Sequence, residues 1–230
     1  MSQDASIARA VEKQMRNWEL ARQQRLSVQP SRQQPEVADF VTISRLAGSR
    51  GGEIARQLGQ RLGWPVFDRE ILQHMAENDE YRARIYENLD ERDTTWLESV
   101  LRWLLQGELR KEDYFQRLGE TVLALARQGP AVFLGRGADL ILPQDRGLRV
   151  YLIAPEDDRV REYAAGHGCD EKAAREAIRR IDNEREEFIR NHFACDPSDP
   201  TRFDLIVNVS RLDTSQVVEL LHKAVELKCT

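Results

Sequence analysis

The sequence predicts an α/β fold in which helices cover both faces of a parallel β-sheet. Three observations predict it: five short segments are rich in β-branched and aromatic residues, longer segments with helical spacing of apolar residues separate them, and a glycine-rich bend follows the first of the five. Strands that alternate with helices favour a parallel sheet, because each parallel connection must cross over the sheet. We therefore expect ligands beyond the carboxyl ends of the strands.

The composition limits the possible partners. The chain has 230 residues, 41% of them hydrophobic, which is enough to bury a full core. A net charge of −5 and an isoelectric point near 5.6 offer no general attraction to nucleic acid or to an anionic membrane. No apolar run approaches the roughly 20 residues that cross a bilayer, and the start of the chain lacks a secretory pattern. We expect a cytoplasmic protein with reduced cysteines.

Two parts are predicted along the chain: an N-terminal helix with a linker over residues 1–35, and one domain over residues 36–230. Apolar residues recur at helical spacing in the first part, at Ile7, Val11, Met15 and Trp18. The helix is predicted to end near Arg25, and residues 27–35, rich in Gln, Ser and Pro, to form the linker. The apolar stripe must pack on the core or on a second subunit, so a homodimer through this helix is one expectation.

The elements of the main domain follow from their residue patterns. The predicted strands are Phe40–Ser44, Pro65–Phe67, Ala131–Leu134, Leu148–Ile153 and Asp204–Asn208. Between the second and third strands, residues 71–127 are predicted to form a helical insertion. A second, heavily charged helical segment covers residues 156–195, and an amphipathic helix over Ser215–Leu227 ends the domain.

The glycine-rich bend is the first candidate site. It consists of Gly48, Ser49, Arg50, Gly51 and Gly52. Backbone N–H groups of such a bend, together with a helix N-terminus, bind phosphate oxygens, although a standard loop also carries a Lys-Ser/Thr pair. Here Gly51 or Gly52 takes the place of the lysine and Glu53 that of the hydroxyl, so we expect Arg50 to supply the cation. The alternative is a tight turn without ligand, in which Ser49 caps the helix.

Several short motifs carry a family resemblance. They lie at residues 44–45, 48–55, 63–72, 133–139, 150–159, 181–185 and 203–212. In this order they resemble the nucleoside monophosphate kinases, and most closely the cytidylate kinase-like family, over about Phe40–Leu221. The resemblance implies a P-loop nucleotide kinase-like fold with a helical insertion and a helical lid. It also implies ATP and Mg²⁺ as cofactors, and transfer of the γ-phosphoryl group of ATP to a nucleoside monophosphate, with CMP or dCMP favoured.

The resemblance also implies the residues of the acceptor site. Arg136, in Gly-Arg-Gly, matches the family's ligand of the acceptor phosphate, although Gly137 replaces the family's aspartate. Asp68 and Arg69 resemble the acceptor-side segment after the second strand. The alternatives are a solvated arginine at a strand end for Arg136, and a helix N-cap followed by an exposed arginine for the other two.

The charged segment resembles the family's lid. There Arg159 and Arg185 match arginines that neutralise the transferred phosphoryl group, and Asp182 matches the returning helix. Such a catalyst contributes mostly positioning and electrostatics. The alternative is an exposed helical hairpin with many ion pairs.

The metal ligands and the activity itself stay open. No hydroxyl stands at the expected Mg²⁺ position, and the candidate ligands are Ser49, Asp68, Asp139 and Glu53. Zinc is a further alternative, because two His–Cys pairs flank the charged hairpin: His167 with Cys169, and His192 with Cys195. The second functional hypothesis is a nucleotide- or phosphate-binding module that has lost turnover and acts through partner or self-association.

Overall fold

The computed structural model describes residues 3–28, 37–87, 89, 91–104 and 113–228. Its centre is a five-stranded parallel sheet with the order β2-β3-β1-β4-β5. The strands are β1 Phe40–Arg45, β2 Val66–Phe67, β3 Ala131–Leu134, β4 Leu148–Ile153 and β5 Leu205–Asn208. All five predicted strands are therefore confirmed, and β1 lies in the middle, so that its carboxyl end faces both neighbouring connections.

Ten α-helices occur in the described residues, and most of them cover the two faces of the sheet. They are α1 Gln3–Val28, α2 Gly51–Leu62, α3 Arg69–Glu77, α4 Asp79–Tyr86, α5 Glu91–Leu104, α6 Asp113–Gln128, α7 Ala138–Ile141, α8 Glu156–His167, α9 Glu171–Phe193 and α10 Thr214–Lys228. The strands β1 and β3 are buried along most of their length, because helices on both faces leave no solvated side. The predicted insertion corresponds to α3–α6, the charged segment to α8 and α9, and the last helix to α10.

The N-terminal helix packs on the core of its own chain. Val11, Met15 and Trp18 are fully buried in the cluster formed with α3, α6 and the sheet. The indole N–H of Trp18 donates to the Leu125 carbonyl at 3.2 Å. Of the two packing alternatives, the structure has the intramolecular one. A homodimer through α1 stays a prediction, and it would have to use other side chains, since these are enclosed.

Residues 27 and 28 continue α1, and residues 29–35 of the predicted linker lie outside the described residues. None of the described helices combines the length and the apolar character needed to cross a membrane.

The helical hairpin of α8 and α9 lies against the bend that follows β1. Val160, Ala174 and Ile178 are buried between the two helices and share a small cluster with Ala47 of the bend. This packing brings the lid-like segment onto the carboxyl end of the central strand, where the candidate site is expected.

Candidate functional site

A cavity of about 260 Å³ opens at the carboxyl ends of β1 and β3, beneath α9. Its wall includes the end of β1, the Gly135–Gly137 turn after β3 and the middle of α9. Its lining holds three carboxylates, Asp182, Glu184 and Glu186, and five arginines. Arg202 is paired with Asp139. The other four arginines come from separate elements: Arg45, Arg69, Arg136 and Arg185. We call these four residues and the space between them the arginine cavity. The arginines outnumber the carboxylates, so the lining carries a net positive charge, which favours an anion over a cation.

The bend after β1 places two residues in the left-handed backbone region directly before a helix. Gly48 has a φ of 78°, Arg50 has a φ of 55°, and α2 begins at Gly51. Ser49 does not cap this helix: its hydroxyl donates to the Leu46 carbonyl at 2.7 Å, and the capping position is Arg50, whose side chain makes no capping bond. The alternative reading of Ser49 as N-cap is therefore wrong.

The bend and the hairpin fit together closely at Gly48. A Cβ atom at this position would overlap the backbone carbonyl of Arg159, so only glycine fits. The Arg159 guanidinium donates to the carbonyl oxygens of Ala47, at 3.0 Å, and Ala154, at 3.2 Å. The start of α8 is thus fixed over the bend.

Asp182 connects α9 to the same bend. One carboxylate oxygen accepts the Ala47 N–H at 2.7 Å, and the other accepts Arg159 at 2.7 Å. Both Arg159 and Asp182 are largely buried, with 11% and 14% of their side chains exposed. A carboxylate of the protein therefore occupies an N–H group that a bound phosphate oxygen would use in a phosphate-binding loop.

Arg50 has a structural set of partners. Its guanidinium donates to the carbonyl oxygens of Val209 and Leu212, the latter at 2.8 Å, and to the Thr214 hydroxyl at 3.2 Å. These bonds join α2 to the start of α10 and turn the side chain away from the arginine cavity. Its role as the substitute for a loop lysine stays a prediction, and one that requires these bonds to break.

Arg185 and Arg136 reach the arginine cavity from opposite sides. Arg185 donates to the Arg45 carbonyl at 2.9 Å and lies 3.6 Å from Asp182. Arg136 donates to the Gln73 amide oxygen at 3.0 Å, while its Nε atom is buried without a hydrogen-bond partner. Burial is the main factor that lowers the pKa of each guanidinium, and the charge of Arg69 adds to it. Neither arginine is a freely solvated residue.

Aromatic rings hold the Arg136 side chain in place. Its guanidinium lies 5.0 Å from the centre of the Phe188 ring and 5.9 Å from that of Tyr114. Phe188 lies on α9 and Tyr114 on α6, so the lid-like hairpin and the helical insertion both position this arginine. The family resemblance identified Arg136, but nothing in the sequence pattern indicated this aromatic support.

Asp68 and Arg69 were interpreted either as a helix cap followed by an exposed arginine or as part of the acceptor site, and the structure has features of both. Asp68 is the N-cap of α3, and its carboxylate accepts the N–H groups of Glu70 and Ile71 at 3.0 Å each. Arg69 is exposed, as the capping alternative expects, yet it also lines the arginine cavity. The phosphate-binding roles of both residues stay predictions.

Arg45 is the cavity residue to which sequence reasoning gave no role. Burial is the largest factor that lowers its pKa to about 9; Arg185 contributes next, Asp68 opposes the shift, and Arg136 and Arg69 add to it. Its guanidinium has no hydrogen-bond acceptor among the described residues. Its position in the sequence could have indicated a role. Arg45 is the last residue of β1, where the standard loop pattern has its first glycine.

The candidate metal ligands are largely engaged within the protein. Ser49 and Asp68 have the partners described above, and Asp139, 2% exposed, pairs with Arg202 at 2.5 Å and accepts the Ser44 hydroxyl at 3.4 Å. Glu53 is exposed on α2 and accepts the Gln57 amide at 3.0 Å. These residues do not fit a preformed Mg²⁺ site.

The zinc alternative does not match the geometry. Across the described residues, no three His, Cys, Asp or Glu side chains come together as metal ligands. His167 stacks on Tyr163 with ring centres 3.9 Å apart, and His192 stacks on Phe115 at 4.9 Å. Both histidines therefore pack against aromatic rings.

A second depression lies on the other side of the bend. It has a volume of about 610 Å³ and is bordered by Gly48, by the outer face of α8 and by the segment from Val209 to Asp213. The bend therefore stands between two recesses, the first with more arginines than carboxylates and the second with equal numbers of the two. Two ligands that exchange a group across the bend would need such an arrangement.

The comparisons with known proteins identify the family and the fold. The model of the cytidylate kinase-like family matches residues 40–211. Cytidylate kinase of Methanopyrus kandleri is 24% identical over 191 residues, which are 83% of this chain and 94% of that protein. The crystal structure of an uncharacterised protein from Eubacterium ventriosum superimposes with a TM-score of 0.67 at 18% identity, over 83% of this chain and 99% of that one. This likeness shows the fold.

Proposed function

Because the chain belongs to the cytidylate kinase-like family, we propose that it is a nucleotide kinase-like phosphotransferase that moves the γ-phosphoryl group of ATP to a nucleoside monophosphate, with CMP or dCMP as the first candidates. In this reaction a phosphate oxygen of the acceptor forms a bond to the γ-phosphorus. The bond from that phosphorus to the β–γ bridging oxygen breaks, and the bridging oxygen leaves with the electron pair on ADP. The products are ADP and a nucleoside diphosphate.

The arginine cavity is the observation that supports this proposal most directly. Arg136 has a buried Nε atom without a partner, which a phosphate oxygen of the acceptor would satisfy. Arg69 stands at the open edge of the same space, and Arg185 reaches it from α9. The charge that develops on a transferred phosphoryl group would thus meet guanidinium groups from three elements.

The lid-like hairpin of α8 and α9 would position Arg185 for the reaction and border the donor site. Arg159 and Asp182 hold α8 and α9 on the bend, so that Arg185 is fixed in place rather than free in solvent. The second depression beside Gly48 would accommodate the nucleoside of the donor, with its phosphates directed toward the bend. Mg²⁺ would enter with the ATP phosphates and offset their charge.

Specific observations also support the second hypothesis, a binding module without turnover. Gly51 stands where a lysine is expected, Arg50 is engaged by carbonyl groups, and the Ala47 N–H is occupied by Asp182. All three would weaken binding of a triphosphate at the bend. Arg136 and Arg69 still line the arginine cavity in each case, so this hypothesis retains a phosphate ligand there.

Product analysis tests both hypotheses. Purified full-length protein is incubated with ATP, Mg²⁺ and one of CMP, dCMP, UMP, AMP or GMP, and the nucleotides are separated by ion exchange. Equal amounts of ADP and one nucleoside diphosphate support the kinase, and a reaction without acceptor measures hydrolysis. CMP binding without any transfer supports the binding module instead. A protein that neither binds nor converts these nucleotides contradicts both.

Two matched variants test the role proposed for Arg136. We expect Arg136→Met to raise the KM for the acceptor by about 10- to 100-fold, the loss expected for one or two charge-assisted hydrogen bonds. Arg180→Met on the exposed face of α9 removes the same charge without touching the cavity, and we expect it to leave the KM unchanged. Equal effects of the two variants would contradict the role of Arg136.

A further inference from the structure

The Arg45 side chain is a charged group without a counter-charge at hydrogen-bonding distance. It ends β1, its guanidinium lies beside Gly135 at the edge of the arginine cavity, and a Cβ atom at Gly135 would overlap it. Arg69, Arg136 and Arg185 surround the same space, while no carboxylate among the described residues pairs with Arg45. Asp182, Glu184 and Glu186 line the same space, but none of them forms an ion pair with Arg45, and a bound anion would supply the missing counter-charge.

The stem of the same side chain lies against the N-terminus of α2. A Cβ atom at Gly51 would stand 2.8 Å from the Arg45 Cγ atom, which is too close for two carbon atoms. The side chain of Arg45 therefore fills the space that any side chain at Gly51 would enter first. With Arg45 in this position, residue 51 must be a glycine unless the Arg45 stem moves.

The sequence pattern of the standard phosphate-binding loop relates Arg45 and Gly51 to phosphate binding. The pattern is G-x-x-x-x-G-K-[ST], and its lysine contacts the phosphates. Because α2 begins at Gly51, directly after Arg50 in the left-handed conformation, residues 45–52 align with the pattern from its first glycine to its hydroxyl. Arg45 then replaces the first glycine, Arg50 the second glycine, Gly51 the lysine, and Gly52, rather than Glu53, the hydroxyl residue.

We propose that Arg45 is the phosphate-binding cation of this protein and takes the place of the lysine that is missing at Gly51. Its ligand is the terminal phosphate monoester of a nucleotide, a dianion whose oxygens accept from the planar guanidinium fork. The nucleotide identity of this ligand rests on the proposed function. The phosphate contact itself does not depend on turnover.

The first test is ligand binding without any reaction. Thermal unfolding of the full chain is followed at pH 7.5 with CMP, with cytidine and with inorganic phosphate. We expect CMP and phosphate to raise the melting temperature and cytidine to leave it nearly unchanged. Arg45→Met should reduce the affinity for CMP by about 10- to 100-fold, as expected for one or two charge-assisted hydrogen bonds.

The same variant has a second expected effect, of opposite sign. The pKa of Arg45 is lowered to about 9, so at pH 7.5 the guanidinium is charged and its unfavourable contribution to folding is fully present. Arg45→Met should therefore raise the melting temperature of the ligand-free protein by a few degrees. Arg45→Lys, which keeps one charge but loses the fork, should bind CMP with intermediate affinity. The control Arg180→Met should change neither quantity.

An exchange of the two residues tests their interdependence. Gly51→Lys alone should lower the melting temperature, because the new side chain collides with Arg45. The double variant Arg45→Gly with Gly51→Lys, which restores the standard pattern at both positions, should recover stability and CMP binding. A double variant that is no better than the sum of the single ones would contradict the exchange.

The outcomes separate this inference from the proposed function. Phosphate-dependent stabilisation that disappears in Arg45→Met supports the inference, even when product analysis shows no transfer and the kinase proposal fails. Unchanged CMP affinity in Arg45→Met, or stabilisation by cytidine equal to that by CMP, overturns the inference. It is overturned also when CMP and phosphate bind to neither the wild type nor the exchanged protein.

Discussion

The replacement Asp182→Asn tests how the lid-like hairpin is fastened to the bend after β1. The Asp182 carboxylate accepts the Ala47 N–H and one N–H of Arg159, both at 2.7 Å, and lies 3.6 Å from Arg185. The amide of Asn keeps the shape of the side chain and one acceptor oxygen, but it removes the negative charge. Arg159 would then be largely buried without a counter-charge.

The size of the effect follows from the burial of the pair. Removal of one partner of a buried ion pair costs about 3–5 kcal/mol, whereas exposed pairs contribute about 0–1 kcal/mol. Asp182 and Arg159 are 14% and 11% exposed, close to the buried case, while the Arg185 contact is longer and more exposed. Asn also preserves the bond to Ala47. We therefore expect a loss of about 3 kcal/mol in the free energy of unfolding, or a melting temperature lower by about 6–12 °C.

Urea unfolding measures this loss directly. The midpoint should fall while the m-value stays constant, which shows that the native and unfolded surfaces have not changed. Glu184→Gln is the matched control, because it removes a carboxylate on the same helix that is half-exposed and makes only a 3.8 Å ion pair with Arg180. We expect the control to change the free energy of unfolding by less than about 0.5 kcal/mol.

A double-mutant cycle with Arg159→Met completes the test. If the two side chains stabilise each other as the geometry indicates, the double variant should lose about 1.5–3 kcal/mol less than the sum of the single losses. Asp182→Asn that costs no more than Glu184→Gln would refute the reasoning. A coupling energy near zero would show that the hairpin is held by the apolar cluster around Val160 and not by this ion pair.

Three further predictions concern other parts of the molecule. Trp18→Ala should lower the free energy of unfolding, measured by calorimetry, by about 3–5 kcal/mol, because Trp18 is fully buried. Leu20 lies on the same helix but is 53% exposed, so Leu20→Ala should cost far less. Equal losses would contradict the packing of α1. Arg149→Met should destabilise by about 3 kcal/mol in urea, since this buried arginine donates to carbonyl groups of the loop before β4, and a gain in stability would be the contrary result. CMP affinity in calorimetric titration should fall as pH drops from 7.5 to 5, because a phosphate monoester gains a proton near pH 6; constant affinity would exclude a dianion as the preferred ligand.

The strands were predictable because their signal is local. A buried parallel strand needs a continuous run of apolar, β-branched residues, and each of the five predicted segments contains one. The largest boundary difference is a single residue: β1 extends to Arg45, and β2 begins at Val66. The partner of α1 was not predictable, because an amphipathic stripe shows only that a face is covered and not by which chain.

The site was predictable to the extent that motifs mark it. Arg136, Arg159, Arg185 and Asp182 were identified from resemblance, and the structure brings all four to the carboxyl end of β1. The interpretation of Arg50 depended on its nearness to the bend in sequence. Its left-handed backbone directs the side chain to the carbonyl groups before α10 instead. Arg45 received no role because its environment depends on Gly51 and Gly135, and the second of these is 90 residues away.

The positions of the charges explain why the bend has no lysine. A lysine at residue 51 would require space that Arg45 fills, and the Ala47 N–H is already bonded to Asp182. In the arginine cavity, by contrast, the guanidinium groups repel one another, and the Arg136 Nε atom is buried without an acceptor. In a standard loop, bound phosphates gain favourable electrostatic free energy at the bend. In this protein, the guanidinium groups of the neighbouring arginine cavity would supply that free energy instead. We therefore expect an anion to meet the guanidinium groups at the carboxyl ends of β1 and β3, while Asp182 and Arg159 hold the hairpin that carries Arg185 on the bend.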